Sequence, residues 1–358
     1  MREISFNYVI VRNGADYGKI WPAENSAPYL RMSKDGDIKT SFSGTFLPMV
    51  FDFSDKPTDL SVDWLSDQIR PELIIDGEVY PLGIYLPASV TENYDRSGTG
   101  IISLSVEAYD QCWKVQTYIP TQIYFAFGIK YTEAIISMLT ASGIALISSA
   151  ISNATLTEAR EDWDLGTDTL TVVNQLLSEI NFESLWFDHN GLAVLQPVST
   201  PRAENIKHTI DASDPDVMVL PGLQSRQDIF TAANVFTVIC DNPDKSGPMT
   251  ATSINSNPQS RLSVQRRGRR IMSVSYVDNI ANQTELQAYA DLLRNQSMIT
   301  GETITVKTGL LPGYGVGEVT ALIYGDRFDI CVEKAWSMEL RPGGTMTHTL
   351  EKVVVNLG

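Results

Sequence analysis

The apolar positions of this chain follow two rhythms. Across the first 120 residues they alternate with polar ones or run in short β-rich blocks. Ser41–Phe53 is one long β-rich run, and Glu72–Pro87 reads as a hairpin turning at Asp76-Gly77. Gly100–Asp110 puts Ile102, Leu104, Val106 and Ala108 on one face of a strand. Strands broken by turns about every ten residues predict a small antiparallel barrel or sandwich.

The rhythm then becomes helical. Tyr131–Gly143 spaces Ile135, Met138 and Leu139 along one face, with Gly143 as its stop. Thr167–Ile180 aligns Leu170, Val173, Leu176, Leu177 and Ile180, with Thr167 or Asp168 as cap. This helix feeds into "INFESLWFDHNGLAVLQP": a strand over Glu183–Asp188, a turn at His189-Asn190-Gly191, and a strand over Leu192–Gln196. Past Pro197 and Pro201 strands return, first over Asp228–Cys240. A helix over Asn282–Gln296 aligns Leu286, Tyr289 and Leu293, and strands fill 302–340 and 345–357. The expected fold class is α+β, mainly β, in three parts: a β domain at 1–120, a small α/β domain at 121–205, and a β domain with one helix at 206–358.

Composition narrows the function classes. The 358 residues are 43% hydrophobic and 20% charged, the balance of an ordinary globular chain rather than a disordered or fibrous one. No run of eighteen apolar residues occurs, and "MREISFNYVI" lacks the layout of a signal peptide, so the expectation is a soluble chain made in the cytoplasm. Cys112, Cys240 and Cys331 are few, odd in number and set in apolar contexts, which predicts buried free thiols rather than disulfides.

The net charge of −16 is uneven. Residues 1–120 carry 10 basic and 17 acidic side chains, residues 121–200 carry 2 and 9, and the remainder 15 and 17. That balance argues against a protein that grips nucleic acid by its phosphates. Solubility explains it adequately; a surface that repels passing DNA is the sharper reading.

Reactive groups are sparse. His189, His208 and His348 are isolated, and neither HExxH nor CxxC occurs, so no metal site and no cofactor are expected. Glu158, Glu161, Asp162, Asp164 and Asp168 gather in "EAREDWDLGTD" without the ligand order of a calcium loop and read as a solvated acidic loop. "GYGVGEV" at 313–319 misses the GxGxxG spacing and reads as a turn between strands. The one basic cluster is "RLSVQRRGRR" at 261–270. Arg266, Arg267, Arg269 and Arg270 are its candidate interface residues, for an acidic protein surface ahead of DNA, with a plain solvated loop as the bland alternative. Trp186, Phe187 and Phe182 are expected in the core, with Trp186 as the candidate interface anchor among them. No residue is assigned a catalytic role.

The segment "TLTVVNQLLSEINFESLWFDHNGLAVLQP", followed by Asp228 and Asn234 at a strand start, the arginine-rich stretch and a short helix, resembles the tail hub proteins of phages of Gram-positive hosts. The resemblance runs loosely over the whole chain, including "YVIVRNGADYG" near its start. The family is the baseplate hub, related to late control protein D and to type VI secretion spikes. It implies a homotrimer in which two related β-barrel domains per subunit form a ring carrying small inserted domains. Such a ring adapts a six-fold tail tube to a three-fold tail tip within the virion. Its implied partners are the hexameric distal tail or tube protein, tail-tip spike or fibre proteins and the tape measure protein, with genomic DNA passing unbound and no membrane. With Gly358 directly after the last strand pattern, the cell-wall cleavage that some tail-tip proteins carry on a long peptidase or fibre extension is not expected. Two alternatives remain: a cell-wall hydrolase, for which Glu158 and Asp162 are the best carboxylate pair, and a host-carbohydrate-binding module.

Overall fold

The computed structural model describes residues 2–353 apart from 99, 119–120, 162, 200, 228–231, 241–247, 261, 278–279 and 281. Asp162, Asp228 and Arg261 therefore lie outside the described residues. In the N-terminal part, Ile4–Arg12 turns through Asn13-Gly14 onto Ala15–Lys19 and pairs on its other edge with Gln68–Ile75. That strand turns through Asp76-Gly77 onto Glu78–Pro81. Both turns hold positive φ at both residues, 52° and 77° in the first, 51° and 85° in the second. This is the type I′ geometry that Asn-Gly and Asp-Gly favour, because its twist matches that of the flanking strands.

A second sheet layer, ordered Tyr29–Ser33, Thr40–Phe46, Ile101–Tyr109, Leu86–Tyr94, folds over the first. Between them Tyr8, Phe42, Phe46 and Tyr85 are fully buried, Tyr8 meeting Phe46 edge-on at 5.4 Å and Phe42 lying 5.7 Å from Tyr85. Two expectations shift in detail. The Ser41–Phe53 run is strand only as far as Phe46, because Pro48 has no N–H to give to a ladder. On Ile101–Tyr109 the inward face is Leu104, Val106 and Ala108, whereas Ile102 projects beyond the core and is exposed.

The two ends of the chain are joined by one long strand. Arg327–Glu339 pairs through Arg327–Val332 with Val319–Tyr324 and through Ala335–Glu339 with Tyr29–Ser33, while Met346–Val353 runs along its other edge. A register shift between Glu333 and Ala335 separates the two uses, and there the Lys34 N–H donates to the Lys334 carbonyl at 2.8 Å. N-terminal and C-terminal strands thereby become one ten-stranded sheet. Leu340, just past the strand, packs in the N-terminal core, and its carbonyl accepts from the Tyr8 hydroxyl at 2.9 Å.

Two compact modules hang on this frame, each with its own core. In the first, helices Tyr131–Ala141 and Thr169–Glu179 cover a small sheet of Trp186–Phe187, Ala193–Leu195 and Ile147–Ser149. Ile135, Leu139, Leu170, Val173, Leu176 and Leu177 are buried as their spacing predicts. The Asp168 carboxylate caps the second helix by accepting from the Thr171 N–H at 2.9 Å. The hairpin strands are shorter than the pattern suggests, and the turn falls on His189-Asn190-Gly191 as expected. Asp188 Oδ1 accepts from the N–H groups of Asn190 and Leu192, and only Gly191 takes positive φ, at 79°. In the second module, Val235–Cys240 lies between Met249–Ile254 and the parallel strand Met272–Val277, with helix Gln283–Met298 packed on one face. Cys112, Cys240 and Cys331 are buried and form no disulfide among the described residues.

Candidate functional site

Three places are considered among the described residues. The first is the seam where the helix–hairpin module meets the frame. The hairpin tip docks there: the Gly83 N–H donates to the His189 carbonyl at 3.0 Å, and Gln111 Nε2 donates to the Gly191 carbonyl at 2.9 Å. A Cβ on Gly191 would lie 2.7 Å from Ile84 Cδ1, so only glycine allows this approach at this φ. Lys34 and Glu183 add an ion pair at 3.6 Å. Behind the tip lies a cavity of about 360 Å³ between the hairpin and the loop 313–319. Trp186 and Trp336 line it, and each indole N–H is buried without a partner, donors that water in the cavity can satisfy. Trp186 is thus in the seam, 8% exposed, rather than on the outer surface.

The second place is the "GYGVGEV" loop, which joins strands as expected. Its Tyr314 ring lies between two histidines, 3.9 Å from His208 and 4.8 Å from His348. Glu318 accepts from His208 Nε2 at 2.6 Å, from the Gly315 N–H at 2.8 Å and from Lys207. Burial pushes the Glu318 carboxyl up, but these donors outweigh burial and hold it below the usual carboxylate range. His348 and Glu333, both fully buried, pair at 2.9 Å, with His348 Nε2 3.1 Å from the Thr308 hydroxyl. Burial raises the Glu333 carboxyl above the usual range against the pull of His348. Glu333 sits at the register shift of the long strand, so this network lies where the two parts of the frame meet. Spacing in sequence gives no hint of it, because the partners come from four distant segments.

The third place is the arginine loop. Its side chains spread differently from their sequence neighbours: Arg266, Arg269 and Arg270 are exposed, whereas Arg267 is half-buried and donates to the Ala232 carbonyl at 2.5 Å. The loop is anchored. Buried Asn234 donates to the carbonyls of Leu262 and Arg269, each at 3.0 Å, and accepts from the Ile271 N–H at 2.8 Å. The side chains at 266, 269 and 270 therefore leave a fixed platform, more than a solvated loop requires. The structure does not bring Trp186 and this loop together; they belong to different modules.

Among the described residues no group of three or more His, Cys, Asp or Glu side chains is arranged to hold a metal ion. Glu158 is exposed, and its proposed carboxylate partner Asp162 is outside the described residues. No helix among the described residues is long and apolar enough to cross a membrane.

No family model and no curated protein sequence matches the chain. Solved structures do. A tail protein from Neisseria meningitidis MC58 superposes with a TM-score of 0.64 at 14% identity, covering 97% of this chain and 96% of its own. The 43 kDa tail protein of prophage MuSo2 from Shewanella oneidensis gives 0.64 at 12% identity, covering 97% and 98%. This chain has the fold of phage tail proteins. A third tail-fold structure, prophage tail protein gp18 from Listeria monocytogenes EGD-e, gives 0.56 at 12% identity, covering 98% and 96%. The tail fold therefore spans the whole chain, the strand-joined frame and both modules included, and it is mainly β as the alternation predicts.

Proposed function

We propose that this protein is a structural hub of a phage tail baseplate. It forms a homotrimeric ring that adapts the six-fold tail tube to the three-fold tail tip and gives passage to DNA. The observation that carries the reading is the long strand Arg327–Glu339, which fuses two strand-rich parts of one chain into a continuous frame. A subunit offering two β-rich parts held rigidly side by side suits three copies matching six positions of a tube. The whole-length likeness to tail proteins supports the same assignment.

In this reading the hub works by shape and contact rather than by catalysis. Domains at 1–120 and 206–358 build the ring, and the domain at 121–205 sits on it as an insertion. Arg266, Arg269 and Arg270 face a neighbouring protein, Arg267 holds their loop, and Trp186 serves the seam between insertion and ring. Tube protein, spike or fibre proteins and the tape measure protein are its neighbours at the tail tip. The charge of −16 keeps DNA in transit from adhering, since contact between like charges is unfavourable. Class averages from electron microscopy of the purified chain test the ring: a three-fold particle with an open centre is expected. Featureless single subunits at high protein concentration contradict it.

A further inference from the structure

We infer that the cavity at the seam between the helix–hairpin module and the frame is a binding site for a small neutral saccharide. The inference goes beyond the ring reading and does not depend on it.

The cavity has walls from two parts of the chain. Trp186 comes from the hairpin of the module, and Trp336 from the long strand of the frame. Both line the space, both are 8% exposed, and neither indole N–H has a hydrogen-bond partner among the described residues. A buried donor left unpaired costs about 1–3 kcal/mol, so two at one cavity call for an occupant that offers acceptors. One or two waters would suffice for two donors, yet the space of about 360 Å³ is far larger than they need. It falls at the small end of ligand sites, which run from roughly 300 to 1,000 Å³. Exposed His189, Ser199 and Lys207 also line it, so it reaches the surface beside the docked hairpin tip.

The other lining groups narrow the ligand class. Asp110, Asp188 and Glu318 line the cavity; Lys207 stands against them and is already paired with Glu318. An anionic ligand would meet like charge from Glu318, whose carboxylate is held charged by His208, Lys207 and the Gly315 N–H. A cationic or purely apolar ligand would leave the two indole donors unpaired. A hydroxyl group both accepts and donates, so a sugar can take the indole N–H groups and give to carboxylate oxygens at once. Asp188 uses Oδ1 for the Asn190 and Leu192 N–H groups, which leaves Oδ2 for such a hydroxyl. Tyr85, Phe187, Val194 and Val316 supply apolar wall that suits the C–H face of a sugar ring.

Because Trp186 stands on the module and Trp336 on the frame, a sugar bonded to both would also tie the two together. It would add to the bonds already made across the seam by Gly83, Gln111 and Lys34. Occupancy of the site thus sets how firmly the module is held.

The test uses the full-length chain with glucose, galactose, N-acetylglucosamine and maltose as probes, titrated by saturation-transfer NMR. At least one should bind, and glucuronate and glucose 6-phosphate should bind more weakly than it. Trp186→Phe and Trp336→Phe, which keep an aromatic ring and remove the N–H, should each weaken binding about three- to tenfold. Bound sugar should also slow amide exchange at Gly83 and Gly191, where the hairpin tip meets the frame. That readout uses the unaltered chain, so a variant that misfolds does not decide the outcome. Failure of all four probes to bind overturns the site, as does binding that leaves exchange at the tip unchanged. Binding that the anionic sugars match, or that neither folded variant weakens, also overturns it. The ring reading is judged separately, by native mass, and stands or falls apart from these results.

Discussion

At the scale of residues, stability rests on a few polar groups whose partners can be named. Asp168 caps the helix Thr169–Glu179, so Asp168→Ala should cost about 1 kcal/mol in chemical denaturation, with Asp168→Ser nearly neutral. Asn234 is fully buried with three hydrogen bonds to the arginine loop, and Asn234→Ala should cost about 1–3 kcal/mol while freeing that loop to proteolysis. Acid should loosen the frame in a definite direction. Burial works against the charged forms of Glu302, Glu318 and Asp329, but ionic hydrogen bonds from Arg327, Lys352, His208 and Lys207 hold all three carboxyls below their ordinary values. Their contribution is therefore full above the unfolded carboxylate range near pH ~4 and is lost as pH falls through the depressed folded values. Glu333, raised by burial, has the opposite sign and favours the folded chain more as it takes up a proton. Melting temperature followed from pH 7 downward should fall below about pH 4, and Glu318→Gln should flatten that fall. A melting temperature that holds or rises in acid would mean that Glu333 outweighs the other three. The Asp168 cap was legible in the sequence because it is local; Glu333 and His348 were not, because their pairing depends on long-range register.

At the scale of elements, the long strand should bind the two β-rich parts into one folding unit. Leu340 lies near the C-terminus yet is buried in the core around Tyr8, so Leu340→Ala should cost about 2–5 kcal/mol and lower the unfolding transition of both parts together. Two β transitions that separate in the variant would contradict the fusion. The same pair of elements explains what could be read beforehand. Periodicity located the strands and helices, and Asp76-Gly77 gave the turn, since these signals need only near neighbours. The Ser41–Phe53 run was overextended because its apolar rhythm continues past Pro48, where the ladder cannot. The hairpin turn at His189-Asn190-Gly191 is legible because its signals are local, whereas the Asp188 carboxylate that organises it is not marked by any spacing rule. The joining of Ala335–Glu339 to Tyr29–Ser33 spans some three hundred residues of sequence, and no local pattern encodes such a pairing.

At the scale of the whole molecule, a tail-fold frame carries two modules and is proposed to act as a ring. The arginine cluster fits that role better than a nucleic-acid grip, for it interrupts an acidic chain. Purified chain mixed with duplex DNA at physiological salt should give no gel retardation, whereas a salt-sensitive shift would contradict DNA transit without adhesion. Zymography on host cell walls should show no clearing; a cleared band would move the assignment to a hydrolase. The most direct measurement is the native mass of the purified chain in solution, by mass photometry across a concentration series. A species at three times the 39.6 kDa subunit is expected. A single species at one subunit mass throughout the series would contradict it.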